Sequence, residues 1–196
     1  MDRFTTPQAR PLPPHLPAPV DDGAADHLVG RAIPPLELPS TVGGSIDLAA
    51  RAADGLVLYA FPKMGPPDEP DPAGWADIPG AYGCTQESCA FRDLIAEFAA
   101  LGHAVVGVSA QSPESQREAH ERLHLRFPLV ADPERRLGAE LGLPTFTVAG
   151  MTLYRRLTLV AAAGRVVKVF YPVYPPDEHP DEVLRWLRQH RGVGAQ

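Results

Sequence analysis

From Leu56 onward, short apolar runs alternate with stretches of helical periodicity, and this order leaves few architectures open. Leu56–Phe61 is an apolar run of the length of a buried strand, and a segment with apolar residues at Phe91, Leu94, Ile95 and Phe98 follows it, ended by Gly102. Ala104–Val108 is again strand-like, and Ser112 and Pro113 cap and open a helix that runs to Leu123. Phe127–Val130 predicts a strand, and Asp132-Pro133 starts a short helix that ends before Gly142. Arg156–Ala161 and Val166–Tyr171 flank Gly164 as an antiparallel hairpin, and Pro180 opens a last helix with Val183, Leu184 and Leu187 on its apolar stripe. Nearer the start, Leu36–Leu38 and Ser45–Asp47 can pair across Val42-Gly43-Gly44. An α/β chain follows, with a mixed central sheet covered by helices on both faces.

The chain has two cysteines, Cys84 and Cys89, placed where a Gly-rich turn (Pro79-Gly80-Ala81-Tyr82-Gly83) runs into the helical segment. A thiol in the first turn of a helix meets unpaired backbone N–H groups and the positive end of the helix dipole, and both favour the reactive thiolate. Cys84 is therefore the candidate nucleophile, and Cys89 is the thiol able to trap its oxidised product. Five residues of ideal helix separate the two Cα atoms by about 8.6 Å, whereas a disulfide needs less than about 7 Å. The first turns must unwind before the pair can close, which suits a transient bridge rather than a structural one. The bland alternative is that both are small buried hydrophobes. Their spacing is not Cys-x-x-Cys, and two thiols make a poor zinc site.

Cys84-Thr85-Gln86-Glu87-Ser88-Cys89-Ala90-Phe91-Arg92-Asp93 resembles the active-site helix of the peroxiredoxins, in particular their PrxQ (bacterioferritin comigratory protein) branch. The resemblance extends to the strand ending in Phe61-Pro62-Lys63 and to Arg156-Leu157-Thr158-Leu159-Val160, and covers roughly residues 29–190. It implies a thioredoxin-like fold, peroxide as substrate, Cys84 as the attacking thiol, Cys89 as the thiol that resolves its sulfenic acid, and thioredoxin or a similar dithiol as reductant. It also brings in Arg156, whose guanidinium would stabilise the thiolate and bond the departing peroxide oxygen. Of the adjacent Arg155 and Arg156, only one can face the site from a strand. Glu87 is expected either to position that arginine or to serve as a favourable charge in the first helical turn.

Two features depart from the family pattern. Ala81 stands where the family has a Thr that helps to hold peroxide, and Tyr82 replaces the usual Pro. Tyr82, or the backbone N–H groups of the Gly83–Cys84 turn, are the expected substitutes. In addition, about fifteen residues are inserted within Met64–Ile78. Directly preceding the cysteine turn, this segment is expected to form a lid or a subunit contact, with Trp75 offering its large aromatic surface.

Six prolines within residues 7–19, followed by Asp21, Asp22 and Asp26, mark residues 1–28 as an extended or disordered arm, leaving 29–196 as the domain. A net charge of −6 argues against nucleic acid or an anionic membrane as partner. No apolar run has spanning length and the start lacks an apolar signal segment, so a cytoplasmic location is expected; a monomer or weak homodimer without cofactor is a separate expectation that these features do not decide. Two competing functions remain. His120-Glu121-Arg122-Leu123-His124 matches the His-Glu-x-x-His pattern of zinc hydrolases, although surface histidines with Leu123 packed inward account for it as well. The loss of the Thr also allows a peroxiredoxin-like sensor without turnover; copper chaperones of the same fold are disfavoured by the cysteine spacing.

Overall fold

The computed structural model describes residues 16–190, and within them lie nine strands and six α-helices. They are β1 (Glu37–Pro39), β2 (Ser45–Asp47), α1 (Leu48–Asp54), β3 (Leu56–Ala60), α2 (Cys84–Asp93), α3 (Ile95–Ala100), β4 (Ala104–Ser109) and α4 (Pro113–Arg122). After them come β5 (Leu129–Ala131), α5 (Arg136–Leu141), β6 (Thr145–Val148), β7 (Met151–Tyr154), β8 (Leu157–Ala162), β9 (Arg165–Phe170) and α6 (His179–Gln189).

Five strands form the central sheet in the order β5-β4-β3-β8-β9. β3 runs parallel to β4 and antiparallel to β8, so the sheet is mixed. Every residue of β3 is buried, as the innermost strand of a sheet covered on both sides must be. Its side chains divide with period two. Leu56, Leu58 and Ala60 join Leu48 and Ala52 of α1 and Leu137 and Leu141 of α5 on one face. Val57 and Tyr59, with Phe61 just past the strand, join α2, α3, α4 and α6 on the other, through Phe91, Phe98, Ala119 and Leu184. The fold is the thioredoxin-like arrangement, with the cysteine helix on the second face.

Several expected elements are refined. The single helix expected across Cys84–Phe98 is two, broken at Leu94 (φ −105°, ψ 9°). α1 was not foreseen; Asp47 caps it by accepting from the N–H groups of Ala49 and Ala50, at 2.9 and 3.3 Å. The β6–β7 hairpin is also additional. Its turn, Ala149-Gly150, has positive φ at both positions, which only the glycine announces in sequence.

Of the arm expected over residues 1–28, residues 1–15 lie outside the described residues. The remainder is packed further than a tail would be: Ala25 and Leu28 are buried, and Tyr171 Oη donates to Asp22 Oδ1 at 2.9 Å. Pro19 rests over Gly80, so the segment runs beside the turn that leads to Cys84.

Candidate active site

The chain needs a sharp reversal to place Cys84 at the first position of α2, and glycine supplies it. Gly83 precedes the helix with φ 99°, and a Cβ there would stand 2.3 Å from Pro176 Cγ. Both the backbone conformation and the close approach exclude a larger residue. The helix therefore opens without a side-chain cap, and its first N–H groups have no partner within the helix.

Cys84 is free and buried, 3% exposed, with its Sγ 3.6 Å from the carbonyl oxygen of Ala81. Arg156, at the start of β8, reaches it from below. Its Nη2 donates to Cys84 Sγ at 3.1 Å, to Tyr82 O at 2.9 Å and to Gly80 O at 3.3 Å, while Nη1 donates to Glu87 Oε2. One guanidinium thus ties together the sulfur, both ends of the cysteine turn and the first turn of α2. Arg155 turns away, its Nε bonding Thr145 O at 3.3 Å. The sequence expectation that only one arginine faces the site matches this placement.

Arg156 and Glu87 are both out of water. Burial alone would push the guanidinium down, but the neighbouring Cys84 and Glu87 hold it well above its usual range. Burial raises the Glu87 carboxyl, opposed by Arg156 and by His179. Paired in this way, Glu87 holds one arm of the fork and leaves the other free to reach the sulfur.

Cys89 is also buried and lies on the same unbroken helix, so the separation derived above for an ideal helix applies. The two thiols are not bonded.

The inserted segment forms a wall beside this centre. A cavity of about 290 Å3 lies against Cys84, lined among others by Lys63, Met64, Trp75, Tyr82 and Thr85. Gln111 holds the start of the wall with its side-chain amide. Oε1 accepts from Met64 N at 2.8 Å and Nε2 donates to Met64 O at 2.7 Å. Arg122 Nη2 adds a bond to Gly65 O at 3.1 Å. Trp75 lines this cavity and turns most of its large aromatic surface inward. It is 4% exposed and anchors the segment in a cluster with Ala81, Val148 and Leu153 from the β6–β7 hairpin. Burial of that indole is what fixes the far end of the insertion.

Tyr82 contributes in two ways. Its carbonyl accepts from Arg156, and its phenol donates to Asp71 Oδ2 at 2.7 Å, across the insertion. Ala81 is buried in the Trp75 cluster and brings no hydroxyl. Thr85 lines the cavity.

The His-Glu-x-x-His stretch does not assemble. α4 ends at Arg122, and His124 lies beyond it with φ 49°, so the two imidazoles do not share a helical face. Among the described residues no group of three or more His, Cys, Asp and Glu side chains is placed to hold a metal ion.

Sequence reasoning brought together Cys84, Arg156 and Glu87 but missed Tyr59, Ser88, Gln111 and Pro176. Their contacts with the site span large sequence separations. Gly107 was a usable signal, because a Cβ there would come within 2.8 Å of the Tyr59 hydroxyl.

Comparison with known proteins agrees with this geometry. The Redoxin family model matches residues 28–184. The chain is 30% identical over 160 residues to a chloroplastic peroxiredoxin Q of Sedum lineare, covering 81% of this chain and 77% of that one. It is 30% identical over 164 residues to peroxiredoxin Bcp of Bacillus subtilis, covering 82% and 94%. Among solved structures, peroxidoxin BcpB of Mycobacterium tuberculosis superposes with a TM-score of 0.68 at 28% identity, covering 84% of this chain and 98% of that one.

Proposed function

The chain belongs to the Redoxin family as a peroxiredoxin of the Q and Bcp kind, a thiol peroxidase, and we propose that Cys84 is its peroxide-reducing thiol. The observation that carries this assignment is the Arg156 fork. It sets a permanent cation 3.1 Å from Cys84 Sγ, and the same Nη2 also bonds the carbonyls of Gly80 and Tyr82 in the turn that presents the sulfur. The thiolate attacks the outer peroxide oxygen, the O–O bond breaks, and the leaving oxygen takes a proton from water to depart as alcohol or water, giving Cys84 sulfenic acid. Arg156 neutralises charge on the sulfur and on the leaving oxygen, and Glu87 keeps the guanidinium in place.

Cys89 then attacks the sulfenic sulfur, water leaves, and an intramolecular Cys84–Cys89 disulfide forms once the intervening helix has unwound. A dithiol such as thioredoxin returns both thiols by exchange. Peroxide is held by the N–H groups of the Gly83–Cys84 turn or by the Tyr82 phenol. The bond from that phenol to Asp71 favours the backbone. We assign the protein as a monomer or weak dimer of the cytoplasm; among the described residues no helix is long and apolar enough to cross a membrane.

Steady-state peroxide consumption with thioredoxin and its reductase tests the whole scheme. Cys84→Ser is expected to abolish turnover, and Cys89→Ser to leave the first reaction intact but stop at sulfenic acid. A Cys84→Ser variant that keeps most of its rate would reject the assignment. Ala81, in place of the family's Thr, supports a second reading as a sensor. That reading gains if the wild type forms the disulfide once but shows no catalytic cycle.

A further inference from the structure

Ser88, the residue before Cys89, is fully buried, and its hydroxyl lies 2.9 Å from Tyr59 Oη and 3.4 Å from Met64 Sδ. A hydroxyl has one proton, and a thioether can only accept. The chain of bonds therefore runs one way: Tyr59 donates to Ser88, and Ser88 donates to Met64.

Each member belongs to a different part of the site. Tyr59 stands on β3 at the centre of the sheet. Its ring is stacked on Phe91 at 4.5 Å and on Phe61 at 5.5 Å, with Phe127 edge-on at 5.9 Å. Gly107 leaves the space its hydroxyl occupies. Tyr59 is a fixed post, and Ser88 is the group on α2 that its hydroxyl meets. Met64 is the first residue of the insertion, is itself clamped by Gln111, and lines the cavity beside Cys84.

We propose that Tyr59 and Ser88 are positioning residues that latch the cysteine helix to the sheet and to the insertion, and so set how readily Cys89 reaches the oxidised Cys84. The inference rests on Cys89 being the resolving thiol. Bringing the cysteines together requires the backbone at 84–89 to leave its helical path, and Ser88 lies inside that stretch. When it leaves, the Tyr59 hydroxyl loses a partner in a site that water does not reach. Opening is thus opposed by a bond that takes no part in the sulfur chemistry. While the latch holds, the sulfenic acid waits, exposed to a second peroxide that converts it to sulfinic acid with release of the alcohol or water.

Tyr59→Phe and Ser88→Ala each remove the bond with little change of shape. In both, disulfide formation after a single peroxide pulse is expected to accelerate by roughly tenfold, the fold-change that one hydrogen bond of ordinary strength commands. Sulfinic acid at Cys84, measured by mass spectrometry after excess peroxide, is expected to fall in proportion. The initial reaction with peroxide is expected to stay within about twofold, since neither group touches the sulfur, and the double variant to match the faster single one because the two share one bond. Circular dichroism verifies the fold of each. Unchanged disulfide rates in folded variants, or fully additive effects, would overturn the latch. Peptide mapping of oxidised wild type separates this from the underlying reading: without a Cys84–Cys89 disulfide the reading itself fails, whereas with one formed at a rate the variants do not alter only the latch fails.

Discussion

Pro176 packs onto Gly83 so tightly that a Cβ on the glycine would stand 2.3 Å from its Cγ. The loop before α6 thereby dictates the identity of the residue before Cys84. Gly83→Ala meets both this contact and a φ of 99°. It is expected to destabilise the protein by about 1–3 kcal/mol and to slow the peroxide reaction by displacing the cysteine turn. Thermal unfolding and stopped-flow oxidation measure the two effects; a variant equal to wild type in both would refute the role of the contact.

The geometry of Arg156 implies a role for its fork beyond its charge, as an expectation that substitution tests. Lysine keeps the charge but cannot serve Cys84, Gly80, Tyr82 and Glu87 together. Arg156→Lys is therefore expected to lower the rate constant for peroxide by on the order of a hundredfold, as loss of a preorganised donor typically does. A lysine variant within a few-fold of wild type would show that a point charge suffices.

Tyr82→Phe distinguishes the two candidate peroxide holders. With the phenol bonded to Asp71, its loss is expected to change the rate by no more than about threefold, well short of the cost of a donor in direct contact with the transition state. A hundredfold loss would instead place the phenol on the peroxide.

The wall formed by the insertion lines the cavity against Cys84, and we propose that it selects among peroxides. Replacing residues 66–72 by a short Gly-Ser link, with Trp75 left in its cluster, is expected to change the ratio of organic hydroperoxide to hydrogen peroxide turnover. Gln111→Ala, which frees the start of the same wall, is expected to shift that ratio in the same direction. A constant ratio in a folded variant would remove the wall from substrate selection.

The bond between Tyr171 and Asp22 gives the N-terminal segment a pH signature. The bond from Tyr171 holds the Asp22 carboxyl below its usual 3.8, so its contribution is complete above that value and fades as pH falls through the lowered one. Burial, and then the Asp22 bond, pushes the Tyr171 phenol up to about 12, so its contribution is complete below the usual 10 and is lost as pH rises from there through about 12. Proteolysis within residues 16–24 is therefore expected to be insensitive to this bond's titration between about pH 5 and 9 and faster in Tyr171→Phe. Ultraviolet titration of wild type minus that variant is expected to show a phenol ionising near about 12. A difference curve centred near 10 would mean that the bond is not formed.

The sheet was legible because its strands are runs such as Leu56–Ala60 and Ala104–Val108, where burial on both faces leaves largely apolar sequence. α1 escaped because its seven residues bury only Leu48 and Ala52, too few to establish a period. The β6–β7 hairpin escaped because Ala149 takes a positive φ that sequence assigns to Asn, Asp or Gly. At the site, the cysteine spacing and the arginine before β8 could be read along the chain. The Ser88–Tyr59 and Gln111–Met64 contacts could not, because they join residues 29 and 47 positions apart whose partners only the packed fold selects. Gly107 is a local trace of the first, because a Cβ there would meet the Tyr59 hydroxyl.

Trp75 has one further consequence. It is buried edge-on to Tyr82 at 6.4 Å, two residues before Cys84, while the other tryptophan, Trp186, is stacked on His190 at 4.3 Å on α6. The protein therefore carries one indole whose surroundings depend on the cysteine turn and one on a separate helix. Trp186→Phe leaves a single emitter, whose change in intensity or wavelength during a peroxide pulse times the rearrangement of the turn against oxidation of the sulfur, without any attached dye.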